Sequence, residues 1–364
     1  MVIRSVLVTG GLGFVGSAIV DALHKKYPSS MIKILDIGDD IFEWKKNVNH
    51  SPNISLVVCD ILDTRGLRGI LHQTKPDVVI HTAGIIPPLG ERYHRRMEKI
   101  ILNVNVEGTR NVLNATRDSG VGVFIYTSSC CSVVDDWAHP YPNIDERWPT
   151  AKRSSIYGES KVVKSQRRGR KNCSSSKFHY VLNMHPSTIS HHGPGDKQLI
   201  PPIHACIAKG ETPFIIGSAD NLWDITYVTN VADAHVLAAE NLRSNTPTAA
   251  GEIFFIQNNT PIIFRDFSIA VWKEFGHIPP YEVTIPGGLA WVAGLLAEGA
   301  SWLIGSKEPT LSRGTVNDAC AVRYASGEKA KRFLGYEAKV GLEEGIRLSC
   351  EAYKKILASR EKDE

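Results

Sequence analysis

Short apolar runs alternate, in the first half of the chain, with longer stretches whose apolar residues recur every three or four positions. Residues 5–8, 31–36, 54–59, 77–81 and 123–127 read as five strands, and Val181 and Leu182 lie in a sixth. Between them, Val15-Ile19-Leu23 and Val104-Gly108-Val112 have helical spacing. Strands alternating with helices predict an α/β fold, a doubly wound parallel sheet with helices on both faces. No repeat period is present. Gly and Pro break the second half at 193–195, 201–202, 279–280 and 286–288, so a smaller C-terminal region of short elements is expected. The boundary falls near Asn183, giving residues 1–183 and 184–364. Residues 342–357 read as a helix with an Ile346-Cys350-Tyr353-Leu357 apolar face.

Composition narrows the classes. The 364 residues are 43% hydrophobic and 22% charged, which excludes global disorder and leaves room for one large elaborated domain or two. A net charge of +4 is too small to argue for nucleic acid. Seven cysteines, with no secretory leader ahead of the first strand, read as reduced thiols in or facing the cytosol. Residues 285–305, IPGGLAWVAGLLAEGASWLIG, have the length of a membrane span but carry Glu298 near the middle. Either a buried amphipathic helix or a helix resting on a membrane surface is expected there. Nine Lys and Arg against one acid over residues 152–177 read as a solvated helix face or loop, with contact to an anionic membrane surface as the alternative.

Candidate chemistry begins at the first strand. Thr9-Gly10-Gly11-Leu12-Gly13-Phe14-Val15-Gly16 follows it and opens a helix, which is the context a dinucleotide-binding, Rossmann-type glycine turn requires. Glycine permits the tight turn and close approach of backbone to a pyrophosphate, and the helix N-terminus favours the phosphates. Asp36 ends the second strand, twenty residues beyond Gly16. A carboxylate there accepts hydrogen bonds from a ribose and repels a 2′-phosphate, so NAD is expected over NADP. Asp60 and Ile61, after the third strand, lie where an adenine would sit, and Ala83 lies where the fourth strand would approach the cofactor. His81 reads as a packed histidine.

Tyr157 and Lys161 stand at i and i+4, on one helical face. A nearby ammonium is expected to lower the phenol pKa, so that Tyr157 acts as general base on an alcohol or general acid on a ketone. Thr127-Ser128-Ser129 ends the fifth strand at the carboxyl edge of the sheet, where a Ser hydroxyl can hold the reacting oxygen.

Together these motifs resemble the extended short-chain dehydrogenase/reductase superfamily. Residues 103–109, NVNVEGT, and 224–235, DITYVTNVADAH, together with 250–256, 309–313 and 329–336, are similar to its 3β-hydroxysteroid dehydrogenase branch, and in particular to the sterol-4α-carboxylate 3-dehydrogenase subgroup. The resemblance covers nearly the whole chain. It implies that residues 184–364 shape the substrate site, with about 224–258 returning to the first domain. It implies oxidation by NAD of a 3β-hydroxyl on a steroid or terpenoid-like substrate, followed by loss of an adjacent carboxylate where one is present. Ser129, Tyr157 and Lys161 would be catalytic. Gly10, Gly13, Phe14, Val15, Gly16, Asp36, Asp60, Ile61, Ala83, Asn105, Tyr157, Lys161, Pro186 and Ser187 would hold the cofactor, and no metal is implied. The partner is an apolar alcohol, with peripheral membrane contact through 285–305 and a homodimer both open; the location is cytoplasmic or on the cytosolic face of the endoplasmic reticulum.

Some positions depart from the family. His185 replaces an expected Arg, and Ser190-His191-His192 replaces an aromatic-glycine pair. A reshaped pocket is expected rather than a metal site. Cys130-Cys131 reads as packing, because adjacent residues form only a strained disulfide. A nucleotide-sugar epimerase or dehydratase on the same scaffold is the alternative, with Arg265, Arg313 and Arg323 as its diphosphate ligands. A non-catalytic NAD-sensing scaffold would not need the phenol.

Overall fold

A computed structural model describes residues 3–38, 51–88, 91–134, 136, 138–151, 155–162, 179–184, 191–304 and 311–363. Pro186, Ser187, His185, Ser190 and the basic residues Arg167, Arg168, Arg170 and Lys171 lie outside them.

Seven parallel strands form the central sheet. They are β1 (Ser5–Thr9), β2 (Met31–Asp36), β3 (Ile54–Val58), β4 (Val78–His81), β5 (Val123–Thr127), β7 (His179–Met184) and β12 (Ile253–Phe255), in the order β12-β7-β5-β4-β1-β2-β3. The order reverses beside β1, so the crevice at the strands' carboxyl ends opens there. In β1, Val6 and Val8 point to one face and Leu7 to the other, and each side meets its own helices. One face packs on α1 (Phe14–Lys26) and α7 (Val228–Arg243) through Ile19, Val20, Leu23, Val231 and Ala234. The opposite face packs on α2 (Thr64–Thr74) and α4 (Thr109–Asp118) through Leu67, Leu71, Val112 and Ala115. Leading into α4 are α3 (Glu98–Leu102) and a π-helical turn (Asn103–Gly108). The helical spacing read at residues 104–112 therefore runs through a π-turn, a geometry found mostly at functional sites.

Around this core lie β6 (Tyr141–Ile144), α5 (Ile156–Lys161), β8 (His191–His192), α6 (Ile200–Ala208), β9 (Phe214–Ile216), β10 (Leu222–Trp223) and β11 (Thr226–Tyr227). Then come β13 (Ile262–Ile263), α8 (Phe264–Glu274), β14 (Val283–Ile285), α9 (Gly287–Ile304), α10 (Arg313–Cys320), β15 (Arg323–Ala325), α11 (Glu328–Leu334) and α12 (Leu342–Asp363). β13, β10, β15 and β6 form a second sheet, so a segment from the first half is built into the C-terminal region. β12 and α7 run the other way, joining the main sheet from beyond residue 183.

α9 corrects one expectation. It is not a buried helix: Leu289, Trp291, Val292, Leu295, Leu296, Leu303 and Ile304 are exposed, and among the described side chains Ala290 and Gly294 are its buried positions. Its single charge, Glu298, accepts from the backbone N–H of Arg313 (2.7 Å) and from Arg313 Nε (2.8 Å). Among the described residues, no helix is long and apolar enough to cross a membrane.

Candidate active site

The glycine turn fits a dinucleotide phosphate. Gly10 has φ +69°, and a Cβ there would lie 2.6 Å from the Ala83 backbone N. A Cβ on Gly16 would lie 2.1 Å from the Gly10 carbonyl oxygen. Only glycine permits this closeness of β1, α1 and β4. Gly13 is the N-cap of α1 and brings no side chain to cap it, and the first turn, from Phe14 and Val15, contains no acid. The helix therefore presents its positive end without a competing carboxylate. Asp36 Oδ2 accepts from Leu12 N–H at 3.0 Å, which ties the end of β2 to the turn and leaves lone pairs for further donors. Asp60 accepts from Leu62 N–H at 2.8 Å, while Ile61 is buried against Gly108 of the π-turn.

The π-turn carries Asn105 inward. Its Oδ1 accepts from Ile85 N–H (2.7 Å), and its Nδ2 donates to Ile85 O and to Ser160 Oγ, both at 2.9 Å. This fixes the loop after β4 against α5. A Cβ on Gly84 would lie 3.1 Å from both Asn105 Oδ1 and Lys161 Nζ, so that loop passes between the two.

Ser155 caps α5, accepting from Gly158 N–H at 3.1 Å, and all its buried residues but Ile156 and Gly158 carry polar groups: Tyr157, Ser160 and Lys161. Lys161 Nζ donates to Thr127 O at 3.3 Å and lies 5.6 Å from the Tyr157 ring centroid. Ser128 Oγ donates to Lys161 O at 2.9 Å, so this hydroxyl holds the end of α5. Ser129 instead caps the short 3₁₀ turn Cys130–Ser132, accepting from Cys131 N–H at 3.2 Å. Cys130 and Cys131 are unbridged and packed in one apolar cluster with Tyr157. Ser129, Tyr157, Lys161 and Asn105 thus gather at the carboxyl ends of β4 and β5.

The electrostatics differ from expectation. Burial pushes the Tyr157 phenol well above its usual range, with Cys131, Tyr126 and Cys130 adding to the rise and the Arg92 guanidinium opposing it. Burial also pushes the Lys161 ammonium down to about 8. Lys161 aims at a carbonyl and lies over ring faces, so it does not produce the expected lowering; desolvation outweighs it.

Histidines brace the same edge. His81 bonds Thr9 Oγ1 (2.6 Å) and Thr109 Oγ1 (2.9 Å). His235 joins Thr127 Oγ1 (2.8 Å) to Val231 O (2.8 Å), and His192 meets Ser349 Oγ at 2.9 Å between the Tyr227 and Phe267 rings. All three are fully buried, and burial depresses them to about 3, 4 and 3 respectively. Unfolded, each titrates near 6.5. The unfolded chain therefore takes up more protons as pH falls below 6.5, and stability is lost progressively until about pH 3 to 4. Denaturant midpoints measured from pH 8 to 4 should fall steeply below pH 6.5; a flat profile to pH 4 would contradict neutral burial.

Sequence reading missed the segment 91–97. Arg95 grips Glu159 of α5 through both terminal nitrogens at 2.9 Å, and Tyr93 donates to Asp318 at 2.8 Å. Two further arginines there and no periodicity made this look like exposed charge; nothing in the sequence separates the buried Arg92 from its neighbours.

The model of the 3-beta hydroxysteroid dehydrogenase/isomerase family matches residues 7–286. A decarboxylating sterol-4-alpha-carboxylate 3-dehydrogenase of Saccharomyces cerevisiae is 36% identical over 348 residues, covering 94% of this chain and 96% of that one. Its namesake in Schizosaccharomyces pombe is 35% identical, covering 95% and 96%. Among solved structures, a UDP-glucose-4-epimerase of Stenotrophomonas maltophila superposes with a TM-score of 0.74 at 19% identity, over 98% of this chain and all of that one, a likeness of fold.

Proposed function

Because the chain belongs to the 3-beta hydroxysteroid dehydrogenase/isomerase family, we propose that it oxidises the 3β-hydroxyl of a sterol-type substrate carrying an adjacent carboxylate, with NAD as oxidant. The observation that carries this reading is the convergence of Ser129, Tyr157, Lys161 and Asn105 beside the glycine turn. Gly10, Gly13, Phe14, Val15, Gly16, Asp36, Asp60, Ile61 and Ala83 would hold the dinucleotide, with Asn105 and Lys161 toward its reactive end. When bound, NAD supplies the hydride acceptor. Ser129 orients the alcohol oxygen and Tyr157 takes its proton as the carbinol carbon is oxidised. Since burial keeps the free phenol protonated, Tyr157 has to release its own proton to solvent before it can take the one from the alcohol, whereas in the reverse direction the protonated phenol donates directly to the ketone oxygen. The product is a β-keto acid, whose carboxylate leaves as carbon dioxide once the 3-ketone can take up the electron pair.

The nucleotide-sugar alternative loses support from the arginines that suggested it. Arg265 donates to Thr212 O (2.7 Å) and Glu282 (3.2 Å), Arg313 pairs with Glu298, and Arg323 is buried on Asp318. Each has a partner within the chain. Incubation with NAD⁺ and either a 3β-hydroxysterol 4-carboxylate or UDP-glucose separates the readings. NADH should form with the sterol, and no NADPH when NADP⁺ replaces NAD⁺; conversion of the sugar alone would reverse the choice.

The outward side of α9 gives the same function a place to act. Its exposed Leu, Val, Trp and Ile side chains contain no charge, which suits burial among lipid headgroups and acyl chains by a peripheral protein on the cytosolic face of the endoplasmic reticulum. The intact chain should sediment with phosphatidylcholine vesicles, and replacing Leu289, Leu296 and Leu303 by Gln should release it. Unchanged sedimentation of that variant would remove α9 as the contact.

A further inference from the structure

Two buried guanidiniums share one carboxylate beside Tyr157. Arg92 is 2% exposed, and Arg323 is 5% exposed. Asp318 forms a direct pair with Arg323, accepts from Tyr93 Oη and lies 3.8 Å from Arg92 Nη1. Among the described residues, Asp318 is the one acidic partner of Arg92, and it is engaged by two other groups. Arg92 Nη2 donates to Gln198 Oε1 at 3.3 Å, a neutral acceptor. Arg92 Nε and Nη1 are buried and make no hydrogen bond of ordinary geometry, although the guanidinium interacts with the Tyr93 hydroxyl. A buried cation left with unmet donors costs several kcal/mol in general, and such sites persist where a ligand completes them.

The surroundings say where that ligand would sit. Arg95, three residues further on, is clamped to Glu159 of α5, two residues from Tyr157. The charge of Arg92 is felt at the Tyr157 phenol and at the Cys131 thiol, which share one packed cluster. Tyr93 lines an open cleft of about 350 Å³ with Trp291, Arg313 and Glu298, the last paired with Arg313, along α9. The segment that carries Arg92 thus reaches α5 through Arg95 and the cleft along α9 through Tyr93.

We propose that Arg92 is a specificity-determining residue, held beside Tyr157 with two unpaired donors to receive the carboxylate that the substrate carries next to its alcohol carbon. The proposal rests on the dehydrogenase reading and adds to it a reason for preferring an acid over a neutral sterol. Charge-assisted hydrogen bonds from guanidinium to carboxylate are among the stronger ones, and a desolvated site strengthens them further. Arg92 is not asked to move a proton or an electron pair.

The experiment compares a 3β-hydroxysterol 4-carboxylate with its methyl ester, which keeps the alcohol and removes the charge. With the native chain, kcat/KM for the acid should exceed that for the ester by about 10²-fold or more, mainly through KM. Arg92→Gln should abolish that preference by raising KM for the acid alone, any change in kcat from the lost charge near Tyr157 being common to acid and ester, and Arg92→Lys should recover part of it. Should Arg92→Gln fail to fold, the native chain still decides, because a 3-deoxysterol 4-carboxylate must inhibit far better than its carboxamide. Equal turnover of acid and ester, equal inhibition by the two analogues, or equal losses for both substrates in Arg92→Gln would overturn the assignment of Arg92 alone. No NADH from either substrate, with NAD⁺ binding intact, would overturn the dehydrogenase reading beneath it.

Discussion

Replacing Tyr157 with Phe should lower turnover by about 10²- to 10⁴-fold, the range a positioned general acid–base contributes, while NAD⁺ still binds. The phenol ring packs in an apolar cluster with Cys130, Cys131, Val133 and Phe255. Phe preserves that packing and removes only the oxygen. The effect should therefore fall on kcat, with thermal stability and cofactor affinity close to those of the native chain. Loss of folding, or turnover within a few fold of the native value, would show that Tyr157 does not carry the proton. Lys161 gives a milder counterpart: its ammonium titrates near 8 in the folded chain. The Lys161 charge is fully present below that pH, so any contribution it makes to the reacting group should fade as pH rises through it.

The second large effect belongs to Gly16. A methyl there would sit 2.1 Å from the Gly10 oxygen and 2.8 Å from both the Gly10 carbonyl carbon and the Gly11 Cα, all backbone atoms of the turn itself. No side chain can swing aside, so Gly16→Ala must push α1 away from β1. That costs about 1–3 kcal/mol or more as overpacking, and it displaces the helix N-terminus that faces the phosphates. Thermal melting should drop, and calorimetry should show no NAD⁺ binding. Gly69 provides the contrast. It lies within α2 with no atom inside 4 Å of its would-be Cβ, so Gly69→Ala should stabilise by about 0.5–1 kcal/mol through helix propensity alone. If both substitutions behave alike, the closeness of the turn is not what Gly16 protects.

Legibility in the sequence followed locality. The parallel strands could be read because each buried strand is a continuous apolar run, and the glycine turn because its spacing sits between a strand and a helix. Tyr157 and Lys161 were found by their i, i+4 spacing. What escaped were groups joined across long separations. Arg92 meets Asp318, over two hundred residues away, and no local pattern marks either as buried. Asn105 was matched by resemblance, but the π-turn that aims it has no signature distinct from an ordinary helix. The phenol pKa was misjudged for a related reason: spacing shows that a lysine is near, while burial, which raises both groups' cost of charging, emerges only from packing. The apolar helix at 287–304 illustrates the converse. Its hydrophobicity was plain, but whether protein covers it depended on where α10 and β14 lie, and they leave its outer face bare.

Mass analysis of the sterol recovered after incubating a 3β-hydroxysterol 4-carboxylate with the intact chain and NAD⁺ tests the central claim most directly. The expected product is the 3-ketone without its carboxylate, formed with one NADH per molecule. Recovery of unchanged sterol acid, or of an epimeric alcohol with NAD⁺ regenerated, would contradict oxidation at the 3-position as the chemistry of this site.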